Sequence, residues 1–422
     1  GKDMLDKLDT FVKVGEPGLK SLPYLFGTDQ PRKYLVLLHN DAELRPTGGF
    51  MTAFAIASVD NGQITIEQSG DIYQLDEKVA NRLPAPDPIK KYLPNVPYWH
   101  LRDQNLSPDF KISMETFYPN YLQTGMPAVD GVIAVNTKLL VDLVRLVGPI
   151  DVPGYGKFSA DTDKRCNCPQ VFYALELLAD TESPDIAKHA ERKSFIGPMA
   201  GILTERLKSL SGTRLFAAAE VVLANIGAKN IQLYFPEPVL QGMMESLNLA
   251  GRVQDYAGDY LMIVDSNFAG AKTNAWVTYD AKQEISIDKD GIINKTLTLV
   301  YKNPQQDFQD VKTKLKLNGV FRDWLRIYVP QGSQLVETKG FDQGQQTSEE
   351  LGKTVFEGFF VLNPLNQKTI VFKYKLPFKA ARPYKLLIQK QAGAKDFEHK
   401  IFINGWQKGD FKLDSDHEFV QD

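Results

Sequence analysis

The hydrophobic periodicity of this chain changes character once, near residue 274, and that change constrains the fold more than any motif does. Before it, short unbroken apolar runs alternate with stretches whose apolar residues recur at helical spacing. After it, WVTYDAKQEISI, TLTLVYKN, DWLRIYVP, TVFEGFFVLN, KTIVFKYKLP and YKLLIQKQ alternate apolar and polar residues, and Asp290-Gly291, Gln331-Gly332 and Asn363-Pro364 separate them. Unbroken runs suit strands covered on both faces; alternation suits strands with one face in a core. The reading is an α/β unit with a mixed sheet followed by an all-β sandwich of about seven strands. The boundaries are a lead-in helix and linker over residues 1–24, the α/β unit over 25–273 and the sandwich over 274–422.

The sandwich reads as immunoglobulin-like from its strand spacing. A net charge of -3 offers no basic face, and no nucleic-acid motif occurs, so nucleic acid is excluded as a partner. No run of roughly eighteen apolar residues reads as a membrane span. The chain starts with Gly1 rather than Met, which fits a membrane anchor or export signal upstream. Met4, Leu5, Leu8, Phe11 and Val12 give a short amphipathic lead-in helix, ended by Gly15, Pro17 and Gly18. Cys166 and Cys168 form a lone C-x-C, which lacks the second pair a zinc site needs. Two loop thiols are favoured over a local disulfide.

Residues 33–76 hold three strands, Tyr34 to Leu38, Met51 to Val59 and, after the hairpin signal Asp60-Asn61-Gly62, Gln63 to Gln68. Charged residues fall where these strands end, the place where open α/β sheets bind ligands. Asp41, Glu43, Arg45 and Asp71 are the candidates. Carboxylates hold a hard cation such as magnesium, arginine grips phosphate with a planar fork, and Thr47-Gly48-Gly49 adds backbone N–H groups as an anion nest. The bland reading is a salt-bridged loop with Asp71 capping a turn, and spacing alone favours it.

Pro84, Pro86, Pro88, Pro94 and Pro97 predict a long ordered loop. WHLRDQNLSPDF then sets Arg102, Asp103, Asn105 and Asp109 among aromatic residues; this cluster either closes on an anionic substrate or pins the loop to the core, and the residues alone favour the second. Val129 to Val135 is a further strand, and Thr137 caps a helix with the apolar stripe Leu139, Leu140, Leu143, Val144 and Val147. Helices follow over 171–179, 191–210, 213–226 and 238–247, with a strand over 231–235. Arg192 and Lys193 open the second of these helices, where free N–H groups already attract anions; this points mildly to phosphate, and a solvated helix end is the favoured reading. DYLMIVDSNFAGAKT parallels KYLVLLHNDAELRPT and reaches Lys272 where the other reaches Arg45, which places both strand ends at one cleft. The histidines are scattered, and no nucleophile elbow, Walker loop or dinucleotide fingerprint is present.

Together NDAELRPTGGF, LRDQNLSPDF, VDGVIAVN, GPIDVPG and QKQAG resemble an uncharacterised bacterial surface-protein family, a domain of unknown function. Residues 33–260 are also similar, in the order of their features, to the LytR-CpsA-Psr family of extracytoplasmic phosphotransferases, which attach polyprenyl-pyrophosphate-linked glycopolymers to the cell wall. The matching features are the strand running to Asp41, then Arg45, Asp71-Ile72-Tyr73, DGVIAVNTKLLVDLVRLVGPIDVP and a helix opening with Arg192. The resemblance implies an α/β/α sandwich of that family's kind, magnesium at Asp41 and Asp71, and chemistry at Arg45, Asp71 and Arg102. With the residues read above, substrate contacts are expected from Glu43, Thr47, Asp103, Asn105, Arg192, Lys193 and Lys272. The chain departs from the family at Arg45-Pro46-Thr47-Gly48 and Ser69-Gly70-Asp71, where one arginine and one metal carboxylate have no counterpart; Arg102 and Glu43 are the substitutes.

The expectation is an extracytoplasmic, envelope-associated and membrane-anchored protein. It binds, and in its catalytic version transfers, a polyprenyl-(pyro)phosphate-linked glycan or another lipid phosphate to a cell-wall acceptor. The alternative is a non-catalytic surface protein with a degenerate cleft, in which the β-sandwich does the recognition. An apolar tunnel ending at Arg45 points to the first, a cleft filled by side chains to the second.

Overall fold

A computed structural model describes residues 23–93, 95–179, 193–310, 313 and 315–422. The helix expected before residue 23 and Arg192 lie outside the described residues. In chain order the N-terminal region contains β1 (Arg32–Asn40), β2 (Phe50–Asp60), β3 (Gln63–Asp71), α1 (Ile72–Asp76), α2 (Asp87–Tyr92), α3 (Phe110–Leu122), β4 (Gly131–Asn136), α4 (Thr137–Val147), β5 (Ile150–Val152), β6 (Gly156–Phe158), β7 (Thr162–Asp163), β8 (Cys168–Pro169), α5 (Gln170–Ala179), α6 (Ile196–Lys208), α7 (Thr213–Gly227), β9 (Ile231–Tyr234) and α8 (Pro238–Ser246).

β2 turns into β3 through Asn61 and Gly62, both at positive φ, as the tight hairpin between Asp60 and Gln63 requires. β1 pairs antiparallel with β2 on one edge and parallel with β4 on the other, giving a mixed sheet in the order β3-β2-β1-β4-β9. Both faces are covered, which is why the middle of β1, Tyr34 to Leu38, is an unbroken apolar run. On one face Leu35, Leu37, Phe54 and Ile56 meet Phe110, Met114, Phe117 and Tyr121 of α3. On the other Ala53 and Ala55 meet Val141 and Val144 of α4 and Met199 and Leu203 of α6.

The C-terminal region is β-rich: β10 (Asp259–Val264), β11 (Thr278–Ile287), β12 (Ile292–Asn303), β13 (Phe321–Pro330), β14 (Gln334–Lys339), β15 (Gln343–Glu350), β16 (Lys353–Leu362), β17 (Asn366–Lys379), β18 (Tyr384–Gln389), β19 (Phe397–Ile403), β20 (Trp406–Leu413) and β21 (His417–Gln421). Among the described residues these make two six-stranded sheets, β15-β16-β13-β10-β18-β21 and β14-β17-β12-β11-β19-β20. Leu261, Leu325, Phe356 and Ile388 of the first sheet share one core with Leu297, Phe372 and Ile401 of the second.

Several expectations are corrected here. β10 was expected in the α/β unit, yet it hydrogen-bonds between β13 and β18 inside the β-rich region. The strand number exceeds seven partly because the polar run QGQQTSEE of β15 pairs at a sheet edge, where little apolar alternation is needed. The proline-rich loop contains α2, with proline in its first turn, and Tyr92 stacks on Phe359 with ring centroids 4.4 Å apart. Asn136 caps α4 in place of Thr137, accepting from Leu139 N at 3.3 Å. Cys166 and Cys168 are joined by a disulfide, not left as thiols. Among the described residues no helix is long and apolar enough to cross a membrane.

Candidate functional site

β1 and β2 turn Val36, Leu38 and Ala53 toward α4, α5 and α6. The alanine is small, so the helices bridge the sheet without filling the space beneath them. The result is a cavity of about 380 Å³, within the usual size of small-molecule sites. Its apolar wall is carried by Leu139, Leu140 and Leu143 of α4 and by Ile196, Met199 and Leu203 of α6.

Its polar lining includes Asn40, Asp71, Tyr73, Glu176, Lys193 and Lys272. Lys193, just ahead of α6, donates to Thr52 Oγ1 at 3.0 Å. Asn40 Nδ2 donates to Glu176 Oε1 at 2.7 Å. Asp71 caps α1, accepting from Tyr73 N at 3.0 Å. A cavity with leucines on one wall and ammonium and carboxylate groups on another suits an amphiphile.

Arg45 does not line this cavity. Its side chain is enclosed between the rings of Phe50 and Phe268, with the guanidinium carbon 5.4 and 4.9 Å from their centroids. It donates to the Asn267 carbonyl and sits 3.4 Å from Glu43 and 3.7 Å from Asp103. Lys272 Nζ reaches Glu43 at 2.7 Å, so the two strand-end cations do meet, on one carboxylate. The chain of charges continues: Arg102 approaches Asp103 at 3.7 Å, bonds Asp76, and lies 4.4 Å over the Tyr73 ring. Burial alone would raise Glu43, but Lys272 and Arg45 hold its carboxyl below the usual range; at Asp103 burial wins over Arg45 and Arg102 and the carboxyl is raised. Lys272 and Tyr73 are the points where this ion network touches the cavity.

The remaining candidates separate. Thr47 is fully buried: its hydroxyl accepts from Asn105 Nδ2 at 3.0 Å, and its carbonyl accepts from Gln232 Nε2 at 2.7 Å. Asn105 also donates to the Gly49 carbonyl at 2.9 Å, so Thr47-Gly48-Gly49 is packed inside and not open as an anion nest. Asp41 lines a different groove with Lys138 and Lys395; burial pushes its carboxyl up to about 6, against hydrogen bonds from Lys138 N and Thr137. Asp41 and Asp71 therefore do not share one cavity, and among the described residues no three His, Cys, Asp or Glu side chains converge for a metal. The expected magnesium pair does not fit.

Residues 29–165 match a family model described as a protein of unknown function (DUF4012). The match runs from β1 to the turn before Cys166 and takes in Arg45, Asp71 and Arg102. No curated protein matches the chain. Solved structures similar to it include a candidate nutrient-binding protein of Legionella pneumophila, at 8% identity over 39% of this chain and 71% of that one, with TM-score 0.27. The protein gbs0355 of Streptococcus agalactiae aligns at 14% identity over 52% of this chain and 74% of its own, with TM-score 0.29. The Lin1025 protein of Listeria innocua aligns at 14% identity over 56% and 85%, with TM-score 0.26.

Two participants escaped the sequence reading. Asp76 sits at the end of α1 and binds Arg102; nothing in IYQLDE distinguishes it from an ordinary helix-end acid. Glu176 had a signal: it is a lone acid inside the apolar run VFYALELLA, which on a packed helix requires a partner.

Proposed function

We propose that this protein binds an amphiphilic phosphate of the polyprenyl-phosphate kind, with the hydrocarbon tail between α4, α5 and α6 and the phosphate toward Lys193 and Lys272. The observation that carries the reading is the unfilled leucine-walled cavity with both ammonium groups in its lining. The likeness in feature order to the LytR-CpsA-Psr family supports a lipid-linked glycan as the natural form of that phosphate. The Cys166–Cys168 disulfide supports an extracytoplasmic setting, since such bonds persist in oxidising compartments.

Binding is favoured over transfer by the state of Arg45. An arginine enclosed by two rings, Glu43 and Asp103 is committed to holding the fold, and reaching a substrate would take it from the buried Asp103 carboxylate as well as from Glu43.

The test is titration of a short polyprenyl phosphate and the matching pyrophosphate, with and without magnesium, followed by assay of phosphate release. The expected result is binding under both conditions without release. Release that needs magnesium and is lost in Arg45→Ala would replace this reading with the transferase one. Absence of binding under every condition would end both.

A further inference from the structure

α7 leaves most of its surface uncovered: of its 15 residues only Asn225 is buried. Leu215 is 57% exposed, Phe216 76% and Val222 39%. With Ala219 between them at helical spacing, they form one apolar stripe.

Guanidinium groups collect at the start of this stripe. Arg214 donates to the Leu146 carbonyl at 2.9 Å and Arg206 to the Val147 carbonyl at 3.4 Å, both at the end of α4. Arg145 lies on the same turn, 59% exposed and paired with Asp142 at 2.8 Å. Beside Arg206, Pro153, Pro198 and Ile202 line a shallow groove. Glu205 and Glu220 are exposed carboxylates on α6 and α7, and with Asp142 they make three acids against four cations, the three arginines and Lys208, which is 3.3 Å from Glu205. A single exposed apolar residue needs no explanation, but adjacent Leu and Phe beside three arginines have the composition of an interfacial helix. Apolar groups enter the acyl boundary while guanidinium groups meet lipid phosphates.

We infer that α7 docks this protein on an anionic lipid bilayer, through Leu215 and Phe216 in the headgroup boundary and Arg145, Arg206 and Arg214 on the phosphates. This goes beyond the cavity reading and does not depend on it. Asn225 of α7 donates to Asp142 of α4 at 3.2 Å, so the helix behind the docking face is the one whose leucines wall the cavity.

The experiment is co-sedimentation of the full chain with vesicles of phosphatidylcholine alone and of phosphatidylcholine with phosphatidylglycerol. The wild type is expected on the anionic vesicles only. Leu215→Ser with Phe216→Ser lowers the partition coefficient at least about tenfold, and Arg145→Gln lowers it less. Both exposed substitutions leave Tm and polyprenyl-phosphate titration unchanged, which separates failure of docking from failure of the cavity. No vesicle binding, or binding undiminished in the double variant, overturns the inference. So does a wild-type dimer that the double variant dissolves without any vesicle binding, because the stripe then pairs copies of the chain.

Discussion

Arg45→Ala separates the two roles an arginine can have at a strand end. It removes the cation shared by Glu43 and Asp103; Glu43 keeps Lys272 at 2.7 Å, whereas buried Asp103 keeps only Arg102 at 3.7 Å, so the cost falls toward the lower end of the about 3–5 kcal/mol for breaking a buried pair. The expected outcome is a large drop in Tm with polyprenyl-phosphate binding retained below it; calorimetry and titration on one sample check this. A second residue-scale device is the pair Asp265 and Asp323, both enclosed. Asp265 accepts from Tyr301 at 2.6 Å and faces Asp323, whose Oδ2 meets no donor, so the pair must hold a proton between them. Burial pushes Asp265 up to about 6, and it raises Asp323 well above the usual carboxylate range, with Asp265 beside it as the second cause. An unfolded aspartate ionises near about 4, so between about pH 4 and 6 the folded state keeps protons the unfolded chain has lost. Stability therefore falls as pH rises through that window. Asp323→Asn gives Asp265 a permanent donor, and the loss of stability from pH 4.5 to 7.5 is expected to shrink by about 1–3 kcal/mol. Urea midpoints at the two pH values read this directly, and equal slopes in both proteins would refute it. Arg45, Glu43 and Lys272 were all legible as a charged group. Their use was not, because spacing cannot distinguish a clamp for substrate from a cluster that binds only itself.

At the scale of elements, the stripe Leu139, Leu140 and Leu143 was legible as an apolar helix face. It walls a cavity because the sheet beneath it carries Ala53, and only the pairing of β1 with β2 shows which alanine lies under which helix. Leu143→Trp is expected to fill that space, reducing polyprenyl-phosphate affinity at least about tenfold while changing stability by no more than about 1–3 kcal/mol. Unchanged affinity would place the ligand elsewhere. The hairpin at Asn61-Gly62 and the helices from α4 onward could be read from periodicity and turn chemistry; α3, which covers one face of the sheet, was missed, since Pro119 inside it reads as a helix breaker. β10 could not be assigned, since an apolar six-residue strand states that it is covered and not which sheet covers it.

On the scale of the whole molecule, the α/β and β-rich regions are interlocked at the very motifs that stand far apart in sequence. The RPTG turn after β1 lies against the QKQAG run after β18: Thr47 bridges Ala392 in parallel, and Gln391 Nε2 donates to the Arg45 carbonyl at 3.3 Å and the Asp265 carbonyl at 2.8 Å. Nearby, Leu44 N donates to Asn274 Oδ1 at 3.1 Å, and buried Lys229 pairs with Asp416 at 2.7 Å. Such contacts join the α/β layer and the β-rich sheets into a single cooperative body, so heat or urea should unfold them in one transition. Gly393 is the position to test, because it has φ of +71° and a Cβ there would run into the backbone of Gly48. Gly393→Ala thus adds backbone strain and drives the two motifs apart, at a cost of at least about 2 kcal/mol. The expected result is an earlier transition that splits in two, the α/β region melting first because its helices lose the β-rich surface behind Arg45. Far-UV circular dichroism at helical and strand wavelengths follows the two regions separately. A single transition merely shifted in Tm would mean that the remaining contacts, chiefly Lys229 with Asp416 and Leu44 with Asn274, hold the interface without the motif pair.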